Sequence, residues 1–231
     1  FGEVYITSLL TSGNHVNGAV GFRMSSADTI IFSAKCVILA TGGHSRLYRR
    51  SSSRIFENTG DGVSLAYNAG AELQDMEMVQ FHPTGMVYPP ETEGVLVTEA
   101  VRGEGGRLYN VKDERFMKNY DMERMELGPR DEVTRAIYNE IKENRGASHN
   151  GVWLDITHLP KGYIIKRLPK MYRQFKVTGI DISEQRMEVA PTAHYSMGGL
   201  RVNWADGSTA VKELFAVGEV TGGLHGANRL G

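Results

Sequence analysis

Five short strings in the chain set arginine, histidine or glutamate beside glycine or proline. In Gln80-Phe81-His82-Pro83-Thr84-Gly85, the proline restricts His82 to extended backbone. In Thr98-Glu99-Ala100-Val101-Arg102-Gly103-Glu104-Gly105-Gly106, Glu99 and Arg102 stand at i and i+3, one face of a helix if the segment is helical. In Leu127-Gly128-Pro129-Arg130-Asp131, Arg130 falls in the first turn of a helix. There it opposes the positive end of the macrodipole, and Asp131 partly compensates. Ala190 to Gly199 holds His194 and Tyr195 among small residues ahead of paired glycines. Gly218-Glu219 is followed by Leu224-His225-Gly226-Ala227-Asn228-Arg229-Leu230-Gly231.

Each string has a bland reading. A lone histidine fills a core, and an exposed Glu–Arg pair contributes only about 0–1 kcal/mol. Arg130 alone reads equally as a surface arginine. Against that, the residues flanking Glu99 and Arg102 are small and apolar, as in a partly buried proton relay. Taken together, three arginines, two histidines and a threonine stand at glycine and proline turns. That inventory suits a small dianion, because a dicarboxylate needs charge-assisted donors at both ends. A strand ending in Gly218-Glu219 can set its carboxylate on a sugar-like hydroxyl. Arg229, beside small residues, can clamp a carboxylate bidentately.

The composition admits this and excludes other classes. The chain has 231 residues and a formal net charge of -1, so no basic field points to nucleic acid or anionic lipid. Cys36 is the single cysteine, which excludes a disulfide framework and a cysteine-built metal site within the chain and fits a reducing compartment. No metal ligand set is expected. No apolar run reaches the roughly 18–20 residues of a membrane helix. The chain opens without methionine and stops inside a glycine-marked turn, so it reads as the middle portion of a longer protein.

The elements that must position these groups begin with short β runs at Val4–Ile6, Val16–Phe22 and Thr29–Phe32. Cys36 to Ala40 is a continuous apolar run, suited to a strand buried on both faces. It ends at Thr41-Gly42-Gly43. Asn58 to Gly62 leads into a helix over Val63–Ala69 that Gly70 ends. Ala71–Val79 reads as a returning strand, and Gln80–Pro90, rich in proline and glycine, as loop. Thr98–Arg102 suits one or two helical turns. Pro129 opens a helix with Val133, Ile137 and Ile141 on one face. Val152–Ile156 reads as a strand, Lys161–Phe175 as a helix interrupted near Pro169, and Leu214–Val217 as a short strand. Composition shifts near Gln80 and again near Met197 suggest an inserted domain.

Read in order, Ala40 to Gly43, Asn58 to Gly62, Gln80 to Gly85, Thr98 to Gly106, Gly128 to Asp131, Ala193 to Gly199 and Leu224 to Gly231 resemble the flavoprotein subunit of the succinate dehydrogenase/fumarate reductase family, with L-aspartate oxidase among its relatives. The resemblance spans essentially the whole chain. It implies an α/β fold with an α+β cap: a partial Rossmann-type FAD-binding domain over 1–81 and 195–231, with a capping, substrate-binding domain inserted over 82–194.

The resemblance also implies roles. His82, Thr98, His194 and Arg229 would bind the substrate carboxylates. Hydride would pass between flavin N5 and one carbon, while Arg130 exchanges a proton with the neighbouring carbon, fed by Glu99 and Arg102. Ala40, Thr41, Gly42, Asp61, His194, Tyr195, Glu219 and Arg229 would touch FAD. Arginine ordinarily stays protonated, so the role of Arg130 rests on the resemblance. Implied partners are succinate or fumarate, an iron–sulfur subunit and membrane-anchor subunits. That places the protein in the cytoplasm or on the cytoplasmic face of the membrane. The Gly-x-Gly-x-x-Gly pyrophosphate loop is absent from this chain, as are the histidine that carries covalent flavin in many members and the C-terminal helical region. The piece alone is therefore expected neither to hold FAD tightly nor to turn over. L-aspartate oxidase shares the same constellation and stands as the alternative. A third reading is a lid or binding module without chemistry of its own.

Overall fold

The computed structural model describes residues 1–229. The chain divides into two compact units. Of the described residues, one holds Phe1–Tyr48, Ser53–Gln80 and 195–229; the other holds Arg49–Ser52 and Phe81–His194.

The first unit opens with an antiparallel meander of β1 (Val4–Ser12), β2 (His15–Arg23) and β3 (Thr29–Ser33). β4 (Val37–Leu39) follows and pairs in parallel with the late strand Leu214–Ala216. The expectation of a strand buried on both faces needs correction. Leu39 is 4% exposed, but Ile38 is 61% exposed. With one strand partner among the described residues and its core on one side, β4 is half-buried in this chain. Helix α1 (Asp61–Asn68) starts after Gly60, at φ 83°, and ends before Gly70, at φ 97°. It presses Val63 and Ala66 onto Leu39, Leu214 and Ala216. The return strand expected over Ala71–Val79 shrinks to β5 (Leu73–Gln74), followed by a turn in which the Met78 N–H donates to the Asp75 carbonyl.

The second unit is built on β6 (Val79–Tyr88), α2 (Glu99–Gly103), β7 (Arg107–Tyr109), α3 (Arg130–Lys142), β8 (Val152–Asp155), α4 (Lys161–Arg167), α5 (Pro169–Lys176) and β9 (Met187–Ser196). Its sheet runs β6-β9-β8-β7. The loop expected over Gln80–Pro90 is instead mostly strand β6, buried from His82 to Val87. Proline and glycine are tolerated there for packing reasons. A Cβ on Gly85 would lie 2.6 Å from Thr192 Cγ2, so only glycine lets the two backbones approach this closely. α3 buries Val133, Ala136 and Ile137, the i, i+3, i+4 face that its sequence spells out. Pro169 separates α4 from α5, as a residue without an N–H must. Arg49–Ser52 is tied to β9: Ala193 N–H donates to the Arg50 carbonyl at 3.0 Å, and Ser52 N–H to the Ala193 carbonyl at 2.9 Å. β10 (Gly199–Leu200), paired with β5, and β11 (Leu214–Ala216) complete the first unit. Among the described residues no helix is long and apolar enough to cross a membrane.

Candidate active site

His82 and His194 stand on β6 and β9, neighbours in the sheet of the second unit. Their rings meet edge to face, with centroids 5.5 Å apart. His82 is 2% exposed. Its Nδ1 accepts the Thr84 backbone N–H at 3.3 Å, while the Thr84 hydroxyl donates to the Val97 carbonyl at 2.7 Å. The ring proton therefore sits on Nε2. Burial pushes the His82 pKa down to about 2, with the positive charges of His194, Arg130 and Arg102 adding to the effect. His82 is thus a neutral donor, not the charge-assisted one expected of it. Desolvation and three cationic neighbours are invisible in its sequence context.

His194 is held by a residue the sequence reading missed: Ser52 Oγ lies 2.8 Å from His194 Nδ1. The two residues are 142 positions apart, and nothing in the run Ser51-Ser52-Ser53 marks the middle hydroxyl.

Thr98 is the N-cap residue of α2 but makes no side-chain capping bond, which leaves its hydroxyl outside the helix ladder. Glu99 begins the helix and Arg102 lies in its last turn. Glu99 Oε2 accepts from Arg130 Nε at 3.0 Å and lies 3.8 Å from Arg102 Nη2, so one carboxylate serves two guanidinium groups. Arg130 is the first residue of α3, directly after Pro129.

The Arg102 side chain is fully buried. Nη1 donates to the Glu126 carbonyl, whereas Nε and Nη2 have no hydrogen-bond partner among the described residues. Burial lowers the Arg102 pKa, Glu99 opposes that, and Arg130 reinforces it. Burial also pushes the Glu126 carboxyl up. The Arg115 hydrogen bonds at 2.9 and 2.6 Å and the Leu108 N–H outweigh that and leave it lowered. A dry guanidinium with unmet donors is costly unless charge is supplied nearby. Glu99, 3.8 Å from Nη2, supplies such charge.

In the first unit the turn after β4 converges on Glu219. Gly42 adopts φ 73°. Gly43 N–H donates to Asn58 Oδ1 at 3.1 Å. Glu219 Oε1 accepts the Ser196 N–H at 2.9 Å, and Asn58 Nδ2 reaches Oε2 at 3.5 Å. Ser196 Oγ in turn accepts the His44 N–H at 2.8 Å. A Cβ on Gly43 would lie 2.5 Å from Glu219 Oε1, so the carboxylate rests directly on the glycine backbone. Burial raises the Glu219 pKa against the Ser196 N–H.

Arg229 lies over the Tyr195 ring at 4.3 Å and is anchored at its own carbonyl, which accepts from Gln80 Nε2 at 2.6 Å. Tyr195 also meets His225 edge to face at 5.2 Å. Ala40 and Thr41 are exposed at the end of β4, and Gly62 exists because a Cβ there would collide with Thr41 Oγ1. Asp61 is exposed at the start of α1 and accepts from Thr59 Oγ1 at 2.8 Å; it does not join the Glu219 cluster. Leu230 and Gly231, the end of the last sequence string, lie outside the described residues.

A strand end with exposed backbone, a glycine turn that a Cβ would fill and a buried carboxylate beneath it suit a polyol hydroxyl and a flat ring system. The donor set therefore fits part of an FAD site. Asn58 and Ser196, which hold Glu219 in place, were not among the residues expected there. Their signal was their place in the Asn58–Gly62 and Ala193–Gly199 strings.

The chain is 54% identical over 230 residues to a fumarate reductase (CoM/CoB) subunit of Methanothermobacter marburgensis, covering 99% of this chain and 41% of that protein. It is 43% identical to L-aspartate oxidase 2 of Ralstonia nicotianae, over 96% of this chain and 40% of that protein. Among solved structures it superposes on an E. coli quinol fumarate reductase chain with a TM-score of 0.90 and 38% identity, covering 99% of this chain and 41% of that one. The chain thus spans about two fifths of the length of the relatives it matches. The model of the family described as FAD binding domain matches residues 1–231. On that match, and on a fold shared with flavoprotein subunits of fumarate reductase, the chain belongs to the FAD binding domain family, whose cofactor is FAD.

Proposed function

We propose that this chain supplies the dicarboxylate-binding residues and part of the FAD site of an enzyme that interconverts succinate and fumarate. The observation that carries the reading is the second unit's cluster: two histidines on adjacent strands and one glutamate shared by two arginines. In this reading the second unit is the substrate cap, and the first is part of the flavin domain.

FAD, when bound, supplies the hydride chemistry. His82 donates from a neutral Nε2–H to one substrate carboxylate, beside His194 and Thr98. Arg229 gives a bidentate grip on a carboxylate, and Tyr195 stacks on it and orients it. Arg130 passes a proton to the substrate carbon next to the one that takes hydride, so fumarate gains one hydride and one proton. Glu99 recharges Arg130 through the 3.0 Å contact, and buried Arg102 holds positive charge behind it. Ala40, Thr41, Gly42, Asp61 and Glu219 belong to the cofactor side. An iron–sulfur subunit and membrane anchors are the partners that this reading entails.

Assaying the whole protein with succinate and an artificial electron acceptor, against aspartate and oxygen, tests the reading. Succinate-dependent reduction of the acceptor supports it. Turnover of aspartate alone replaces it with the L-aspartate oxidase reaction.

A further inference from the structure

The second unit also carries a cavity of about 440 Å³ that shares no residue with the histidine and arginine cluster. Arg49, Arg50, Tyr88, Glu93, His149 and Asn150 line it. His149 is unusually constrained for a half-exposed ring. It lies flat on Tyr88, with centroids 4.0 Å apart and 9° between planes. Its Nδ1 is 2.6 Å from Glu188 Oε2. Glu188 is itself buried and accepts the His149 and Gly151 N–H groups at 2.8 and 3.2 Å. Nδ1 therefore carries a proton toward Glu188, and Nε2 is the ring atom left for a ligand.

The backbone that carries Arg50 is fixed from behind. Arg50 is bonded through its carbonyl to β9, and Gly94 packs so closely on the Ser51 carbonyl that a Cβ would lie 2.2 Å away. Arg49 pairs with no carboxylate among the described residues. Among the described residues, the one carboxylate that Arg50 meets is Glu93, through Nε at a long 3.4 Å. Glu188 thus compensates the imidazole, and two guanidinium groups face the one remaining carboxylate, Glu93, so the second guanidinium is uncompensated.

We propose that this cavity binds a phosphate dianion, free or as the phosphomonoester of a small molecule. Guanidinium forks pair bidentately with phosphate oxygens. A tetrahedral dianion offers separate oxygens to Arg49, Arg50 and His149 Nε2, whereas a planar carboxylate offers two. Glu93 competes with the ligand for Arg50.

The test is isothermal titration calorimetry of the whole protein, holding FAD and saturated with succinate so that the dicarboxylate site is occupied. The probes are inorganic phosphate, AMP and malonate. Arg50→Gln should weaken phosphate binding about tenfold, the loss of one charge-assisted contact. Glu93→Gln should tighten it several-fold, a gain that a merely misfolded variant cannot produce. KM for succinate should stay unchanged in both. AMP binding tenfold or more tighter than phosphate identifies a phosphomonoester, and equal affinities identify free phosphate. The proposal is overturned if neither probe binds at millimolar concentration, if malonate binds as well as phosphate, or if both variants bind like the parent.

Discussion

His82 gives the sharpest prediction, because its burial couples its charge to the fold. In the unfolded chain the ring titrates at 6.5, and in the folded protein at about 2. The folded pKa is depressed, so the unfolded state takes up the proton first. The contribution is fully present above pH 6.5 and is lost as pH falls from there toward the folded value. Each tenfold difference in proton affinity between the two states corresponds to about 1.4 kcal/mol. Between about pH 7 and about pH 5 the unfolded chain gains about 2 kcal/mol from protonating this ring, while the folded chain gains almost nothing. Replacing His82 by glutamine removes that contribution. Urea unfolding of the parent and of His82→Gln at the two pH values isolates it, since all other titrating groups are common to both. Buried His44, whose pKa burial also lowers, is among those that cancel. The parent should lose about 2 kcal/mol more than the variant on acidification. Equal losses within about 0.5 kcal/mol, the additivity limit for independent sites, would refute a neutral, desolvated His82.

Other outcomes follow from the same geometry. Arg130→Lys should lower turnover of the whole protein about 100-fold or more with little change in KM, the range for loss of a proton-transfer group; near-normal turnover removes Arg130 from that role. Ser52→Ala should release His194 and raise KM for the dicarboxylate about fivefold, equivalent to ~1 kcal/mol for one hydrogen bond, and Ser52→Thr should restore it. Steady-state kinetics check both. Gly43→Ala drives a Cβ into Glu219 and should weaken flavin retention by the whole protein about tenfold, a packing penalty of ~1.4 kcal/mol, read as flavin absorbance after gel filtration. Glu126→Ala strands the Leu108 N–H and uncouples Arg115, and should destabilise by about 1–3 kcal/mol in urea titration.

Local backbone chemistry was legible in the residues. Pro129 ahead of α3, the break at Pro169, Gly70 closing α1 and the Val133–Ile137 face all depend on neighbours within a turn or two, where φ/ψ limits and the helical period act. The inventory of cations beside glycine turns was legible too. Gln80–Pro90 was not. Proline and glycine speak for loop locally, yet Thr192, more than a hundred residues on, packs against Gly85 and the segment becomes buried strand. The same holds for the β4 face and for Ser52 behind His194.

The sequence by itself determined which donors and turns the protein owns. Tertiary structure alone decided their charge and their partners: the neutral ring of His82, the dry guanidinium of Arg102 and the raised carboxyl of Glu219. Desolvation and through-space hydrogen bonds depend on what surrounds a group in space, and residues distant along the chain supply those surroundings.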